Sequence, residues 1–257
     1  MARADAFTNT VQTPVEFYLE CNSTKKQFGF YDKASGAEVP VPLPVKAVYL
    51  DELATVKGWH KPSNSAVFSN EVRNTGKQEL AVRSFKSGDI AKGLWKEIKD
   101  KVNNQGGKYH SSIYLLLEGR LVNLALHGAS LHAWSEFTKG NKKALLGNYL
   151  EVKSFETGNS GGITYHTPAF SLGSEIEEAI AVSAEDAYEK CQAYFEAKGA
   201  MASQRDEQED VEDQEEQPQL PASDPFAKAA VSQPAPAYSS PTPSSPFGAP
   251  VTDDLPF

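Results

Sequence analysis

A break in composition near residue 200 limits what this chain can fold into. Residues 203–217 read SQRDEQEDVEDQEEQ, and residues 218–250 are rich in Pro, Ser and Ala. Neither stretch can bury enough apolar surface to offset the entropy of ordering it. Like charges extend the first and prolines stretch the second. The expected organisation is a folded domain over 1–200, a disordered linker over 201–250 and a short interaction tip over 251–257. The same break partitions the charge. The formal net charge is −9, yet residues 1–200 hold 23 Lys+Arg against 23 Asp+Glu, while 201–257 hold 2 against 11. Within the domain, residues 41–160 carry 17 basic and 11 acidic side chains. A basic middle beside an acidic tail is an asymmetry found in nucleic-acid binders, although charges scattered over solvated faces give the same counts.

The domain reads as mainly β with helices. Val15–Glu20 and Lys26–Tyr31 have strand character, as does Lys46–Asp51. Residues 66–73 and 79–85 flank Asn74-Thr75-Gly76, and 109–117 and 120–126 flank Glu118-Gly119, both hairpin signals. A third hairpin is expected from Leu150–Phe155 and Ile163–Ala169 around a long loop. Helices are expected from Asp89 to Gly106, with Ile90, Leu94, Ile98 and Val102 recurring every four residues, over 130–137, and from Ser183 to Gly199. Short strands, turns and an intervening helix suit an OB-fold-like β-barrel, closed or partly open, with a β-sandwich as the alternative.

Catalytic signatures are sparse. The chain has no phosphate-binding glycine loop, no nucleophile elbow and no zinc-protease helix motif. Its five histidines lack metal-ligand spacing, and Cys21 and Cys191 are far apart and expected to be reduced. A non-enzymatic protein without metal or cofactor is expected. There is no apolar leader, and no apolar run approaches the ~20 residues of a membrane span, so the expected setting is cytoplasmic, with no membrane partner.

Binding signals are more abundant. Lys57-Gly58-Trp59-His60-Lys61 sets an indole between lysines. Arg73, Lys77, Arg83 and Lys86 surround one hairpin with Phe68 and Phe85, and Lys92, Trp95, Lys96, Lys99, Lys101 and Lys108 follow. Cations interleaved with aromatic platforms are what sequence-independent single-strand binding needs. Trp59, Lys57, Lys61, Arg73, Lys77, Arg83, Phe85 and Lys86 are therefore the candidate single-stranded DNA contacts. Trp95 reads as packing, and Phe68, opposite Val67 in the alternation, reads equally as core. No helix-turn-helix or zinc-finger pattern suggests a duplex reader.

Asp253-Asp254-Leu255-Pro256-Phe257 resembles the tail tip of bacterial single-stranded DNA-binding proteins, which end on an acidic cluster followed by Ile-Pro-Phe. Leu255 stands where that tip has Ile, and the acidic cluster is shorter. The resemblance covers these five residues and the order body, linker, tip; a divergent, phage- or plasmid-encoded relative fits it best, because the body is longer than is usual for that family. It implies an OB-fold body that binds single-stranded DNA, with replication, recombination and repair proteins docking on the tip. A phenylalanine side chain fills an apolar pocket, its free carboxylate meets a cation, and the aspartates meet a basic rim. Against this stand two other readings, a protein-binding adaptor with a peptide-ligand tail and a nucleic-acid enzyme using scattered carboxylates such as Asp51, Glu52 and Glu71. A homo-oligomer is compatible with all three.

Overall fold

The computed structural model describes residues 11–215, with side chains through residue 200. The chain divides into a unit ending at Glu209 and a second from Asp210; apart from the last residues of one helix, the first holds everything that follows. It is mainly β, with eleven strands in one sheet: β1 (Phe17–Asn22), β2 (Gln27–Asp32), β3 (Ala37–Val41), β4 (Val45–His60), β5 (Ser65–Ser69), β6 (Leu80–Ser84), β7 (Gly88–Gly93), β8 (Gly107–Leu117), β9 (Arg120–Leu126), β10 (Asn148–Ser160) and β11 (Ile163–Glu175). Three α-helices accompany it: α1 (Trp95–Asn104), α2 (Gly128–Asn141) and α3 (Glu178–Glu215).

The sheet runs in the order β3-β2-β1-β9-β8-β4-β5-β6-β7, with β10 also pairing β4 and β11 pairing β10. β1 and β9 run parallel, and the other pairs are antiparallel. The path ends on β3 and β7, so the sheet is not closed into a barrel. At its centre is β4, 16 residues long, which pairs with β8 along nearly its whole length and shifts register once, between Tyr49 and Asp51.

Two faces follow from the alternation of side chains along β4 and β8. One face carries Ala47, Ile113, Leu115 and Leu117 into a core with Phe28, Leu124 and Trp134 of α2. Further along it, Ala54, Val56, Val67, Leu80 and Val82 pack with Ile98 and Val102 of α1. The opposite face carries Val48, Leu53, Tyr114 and Leu116 against Ala184, Ala187 and Cys191 of α3, with Phe195 partly buried beside them. Phe195 meets the Tyr114 ring edge-on at 4.9 Å. Past that contact, Thr55, Lys57, Trp59 and Lys108 on the same face have no helix among the described side chains packed over them as a core.

Several elements differ from the sequence expectation. Asp89 does not cap a helix. Gly88–Gly93 is a strand, and α1 starts only at Trp95, after Gly93 at φ +150°. The four-residue recurrence misleads because Ile90 from a strand and Ile98 and Val102 from a helix enter one core. The Asn74–Gly76 segment lies within a ten-residue connection between β5 and β6 instead of closing a two-residue turn. The third hairpin is longer than expected, since residues of its supposed loop pair across β10 and β11 out to Ser160 and Ile163. Helix α3 begins five residues before Ser183, whose Oγ donates to the Ala179 carbonyl. It passes through Gly199 and continues to Glu215. Residues 201–215 thus belong to this helix, where an extended start of the linker was expected; they contain Ala, Met, Gln and Glu, good helix formers, and no proline lies between residue 201 and Pro218. The rest of the expected linker, 216–250, and the tip 251–257 lie outside the described residues. The Glu118-Gly119 turn forms as expected, with both residues at positive φ, 52° and 77°.

Candidate nucleic-acid interface

Register alone gathers most of the predicted DNA contacts. Residues paired across neighbouring strands share a face, and Lys57 of β4 pairs with Lys108 of β8 on one side and Phe68 of β5 on the other. Phe68 pairs with Arg83 of β6, and Arg83 with Asp89 of β7. The next row starts at Trp59, opposite Ala66. The Phe85 N–H donates to the Ala66 carbonyl at 3.0 Å, which brings Phe85 into the same row. Trp59, Phe68 and Phe85 therefore surround the small Ala66 side chain. They remain 52%, 44% and 77% exposed, which is unusual for three adjacent aromatics. Phe68 is consequently not core; Val67, its neighbour, is the buried one.

The backbone under Trp59 is built for close approach. The Trp59 N–H donates to the Gly106 carbonyl at 3.2 Å. A Cβ on Gly106 would stand 2.2 Å from the Trp59 carbonyl oxygen, and one on Gly58 2.1 Å from the Gly106 carbonyl oxygen. Gly106 also sits at φ +83°, so glycine at 106 is required by the close approach of the Trp59 backbone as well as by helix termination. On the other face, buried His60 contacts Gln105 Oε1 through Nε2 at 2.7 Å and Ser63 Oγ through Nδ1 at 2.6 Å. Ser63, Ser65 and Ser84 continue the chain of hydroxyl contacts, and Ser87 Oγ reaches His60 Nδ1 at 3.2 Å. This network ties together the two turns that carry the exposed Lys61 and Lys86. His60 is thereby structural, as its spacing suggested.

Charge on this face is mixed and local. Arg83 is ion-paired with Asp89, and a shallow depression lies between Phe68, Arg83, Phe85 and Asp89. Burial lowers the Lys57 pKa, while nearby Glu71 and Glu20 oppose that shift. Glu71 accepts hydrogen bonds from Ser112 and Tyr114 and faces Lys198 of α3 at 3.6 Å. Beside Lys108, the His110 and His127 rings meet in a tilted arrangement with centroids 4.8 Å apart and planes at 57°. Burial pulls the His110 pKa down to about 4 and lowers that of His127, leaving both neutral at pH 7.

Six of the eight predicted contacts thus fall together: Lys57, Trp59, Lys61, Arg83, Phe85 and Lys86. Two do not. Arg73 donates both Nη atoms to buried Asp51, at 2.8 and 2.7 Å, and a second bond to Gln192 of α3 at 2.6 Å. The bidentate bonds to Asp51 raise its pKa, and it serves as a clamp between β4 and α3. Lys77 is exposed in the turn whose Thr75 carbonyl accepts from Trp95 N–H at 3.4 Å, at the start of α1 and beyond the far end of β6. Sequence proximity had grouped them with the hairpin; strand direction separates them. Lys108, by contrast, joins the site by pairing with Lys57, which the linear sequence does not reveal. Trp95 packs against Tyr109 at 5.3 Å, as expected.

Among the described residues no group of three or more His, Cys, Asp or Glu could hold a metal ion, and no helix is long and apolar enough to cross a membrane. Cys21 and Cys191 are free, with burial pushing their thiol pKa values up to about 11 and about 12. No family model, no curated protein and no solved structure matches the chain.

Proposed function

We propose that this chain binds single-stranded DNA without sequence preference and without catalysis, through the face bearing Trp59, Phe68 and Phe85. The observation that carries the reading is the exposed aromatic trio beside Lys57, Lys108 and Arg83, on the half of the face not packed under α3. Every base offers a π-face to such platforms, and the cations track the phosphates. The open sheet, with the proposed binding side chains on one face, would serve as the platform in place of the closed OB-fold-like barrel that was expected. The resemblance of Asp253–Phe257 to a tail tip supports a second role, recruitment of replication, recombination or repair proteins to the bound strand.

The test is fluorescence anisotropy of labelled oligo(dT) with the full chain at about 20 and 200 mM salt. Binding that weakens steeply with salt is expected. No binding at low salt would overturn the DNA reading in favour of an adaptor. For the tail, one residue added after Phe257 should abolish partner capture and leave oligo(dT) affinity unchanged, and unaltered capture would refute docking through a terminal carboxylate.

A further inference from the structure

The same face carries two more exposed tyrosines on strands that the sequence did not connect with binding. Tyr18 of β1 pairs with Asn123 of β9, and Asn123 with Tyr114 of β8. Tyr114 pairs with Asp51 of β4, so Tyr18 lies on the face that carries Lys57. On β2, Phe28 and Phe30 turn into the core of the opposite face. Tyr31 therefore turns to the Tyr18 side, and its cross-strand partner on β3 is Glu38. Tyr18 is 50% exposed and Tyr31 63%.

On a flat sheet these rings would be remote from the trio. Three strand spacings separate β1 from β4, about 14 Å, and the Tyr18 row crosses β4 six residues before Lys57, about 20 Å along the strand. Yet Lys57 Nζ stands 5.8 Å from the centroid of the Tyr18 ring. The sheet must curl and twist across this face to bring them together. The result is a trough with Trp59, Phe68 and Phe85 on one side, Tyr18 and Tyr31 on the other, and Lys57 between them. His110 and Lys108 lie on β8, which forms part of its floor, and His127, between the end of β9 and the start of α2, meets His110 there. Glu20 and Glu71 are the acids close enough to act on Lys57, and Glu38, beside Tyr31, is ion-paired with Lys25 at 2.7 Å.

We propose that Tyr18 and Tyr31 form a second base-stacking station, so that one DNA strand crosses the trough from the Trp59 side to the Tyr18 side with Lys57 bridging the two. This rests on the single-strand reading above. It assigns to the site a strand of two stacked groups rather than a single short contact, with the phosphates between them passing Lys57 and Lys108. Two stations spaced across a trough suit a site of several nucleotides, within the ~4–16 known for single-strand folds.

The experiment compares the full chain with Tyr18→Ala/Tyr31→Ala, Tyr18→Phe/Tyr31→Phe and Trp59→Ala, each titrated into labelled oligo(dT) of 12 and 6 nucleotides at low salt. The alanine pair is expected to bind the 12-mer at least fivefold more weakly, and to lose most of the gain in affinity between the 6-mer and the 12-mer. The phenylalanine pair keeps the rings and is expected to bind within twofold of the unaltered chain, which separates stacking from a hydroxyl contact. Thermal melts confirm that each variant is folded; should the alanine pair fail, Tyr31→Ala alone carries the test, with a loss of threefold or more. A 12-mer affinity that falls in Trp59→Ala but stays within twofold in the folded tyrosine-to-alanine variant overturns the second station alone. An unaltered chain that does not bind the 12-mer overturns the single-strand reading and the station together.

Discussion

Replacing Trp59 by Ala is the sharpest perturbation of the interface. Trp59 is half-exposed at the end of β4 and flanked by Ala66 rather than by another large side chain. Its free face is therefore available to one base. Stacking of a base on an aromatic side chain is worth about 1–3 kcal/mol by alanine substitution, so the dissociation constant for oligo(dT) should rise ~5–150-fold. The folded state loses less than a core substitution would. Roughly 100 Å² of the indole rests on the sheet, worth at most about 2.5 kcal/mol of stability. The assay is anisotropy for affinity, with a urea melt to confirm that the variant is folded. Intrinsic fluorescence gives a second readout, because Trp134 is buried and Trp95 packs on Tyr109. Quenching by oligo(dT) should therefore come mainly from Trp59 and vanish in Trp59→Phe. A folded Trp59→Ala chain that binds oligo(dT) within twofold of the unaltered protein would refute the assignment of the trio as the stacking platform.

Three further outcomes test other parts of the structure. Changing Lys57 and Lys108 together to Gln should reduce the slope of log K against log salt by about 1.4, at ~0.7 per phosphate contact on single strands; an unchanged slope places the phosphates elsewhere. Arg73→Ala leaves the buried Asp51 carboxylate with Gln192 as its remaining side-chain partner. With the guanidinium about half-exposed, this should cost about 1–3 kcal/mol in urea unfolding while oligo(dT) affinity holds. His110 has a folded pKa of about 4 against ~6.5 when unfolded. Between those values the unfolded chain binds more protons, so stability is complete above pH ~6.5 and falls as the pH drops toward 4, by at most about 3 kcal/mol. His110→Gln should flatten the melting temperature between pH 7 and pH 5, and an undiminished slope would assign it to other groups.

The legible parts of this fold were those set by local chemistry. The Glu118-Gly119 turn and its two strands could be read because positive φ and alternation are local signals. The strands around Asn22–Lys26 were readable for the same reason. The run from Asp89 to Val102 was misread because a strand and a helix that feed one core can show the same four-residue spacing. Strand β4 was recognised only over its first third. Its interior, Leu53-Ala54-Thr55-Val56, is buried on both sides and loses the alternation that marks a half-exposed strand. The site divides similarly. Trp59 with its lysines was visible as a polar, aromatic stretch. Arg73 looked equivalent until Asp51, distant in sequence, proved to be its partner. Lys108 and the two tyrosines belong to the face only through cross-strand register, which no linear spacing encodes.

The paired strands β4 and β8 carry a further argument for the proposed role of this face. On the face packed by α2 and α1, β4 and β8 stay largely apolar, from Ala47 to Val56 and from Leu117 back to Ile113. On the other face both strands change character at the same level. Along β4, Val48 and Leu53 give way to Thr55, Lys57 and Trp59; along β8, Leu116 and Tyr114 give way to Ser112, His110 and Lys108. The change falls where the described cover of α3 ends, at Phe195 on Tyr114 and Lys198 on Glu71. A face that merely lacked its helix would be expected to become polar throughout, because exposed aromatics gain nothing from water. Here the cations are joined by Trp59, Phe68 and Phe85, all exposed, and glycine at positions 58 and 106 is required by the close backbone approach at Trp59 alone. Solvation accounts for the exposed Lys108, and hydrogen-bond partners account for the buried Thr55 and Ser112; the outward aromatics are what the proposed single-stranded partner, with flat apolar surfaces and negative charge, would occupy.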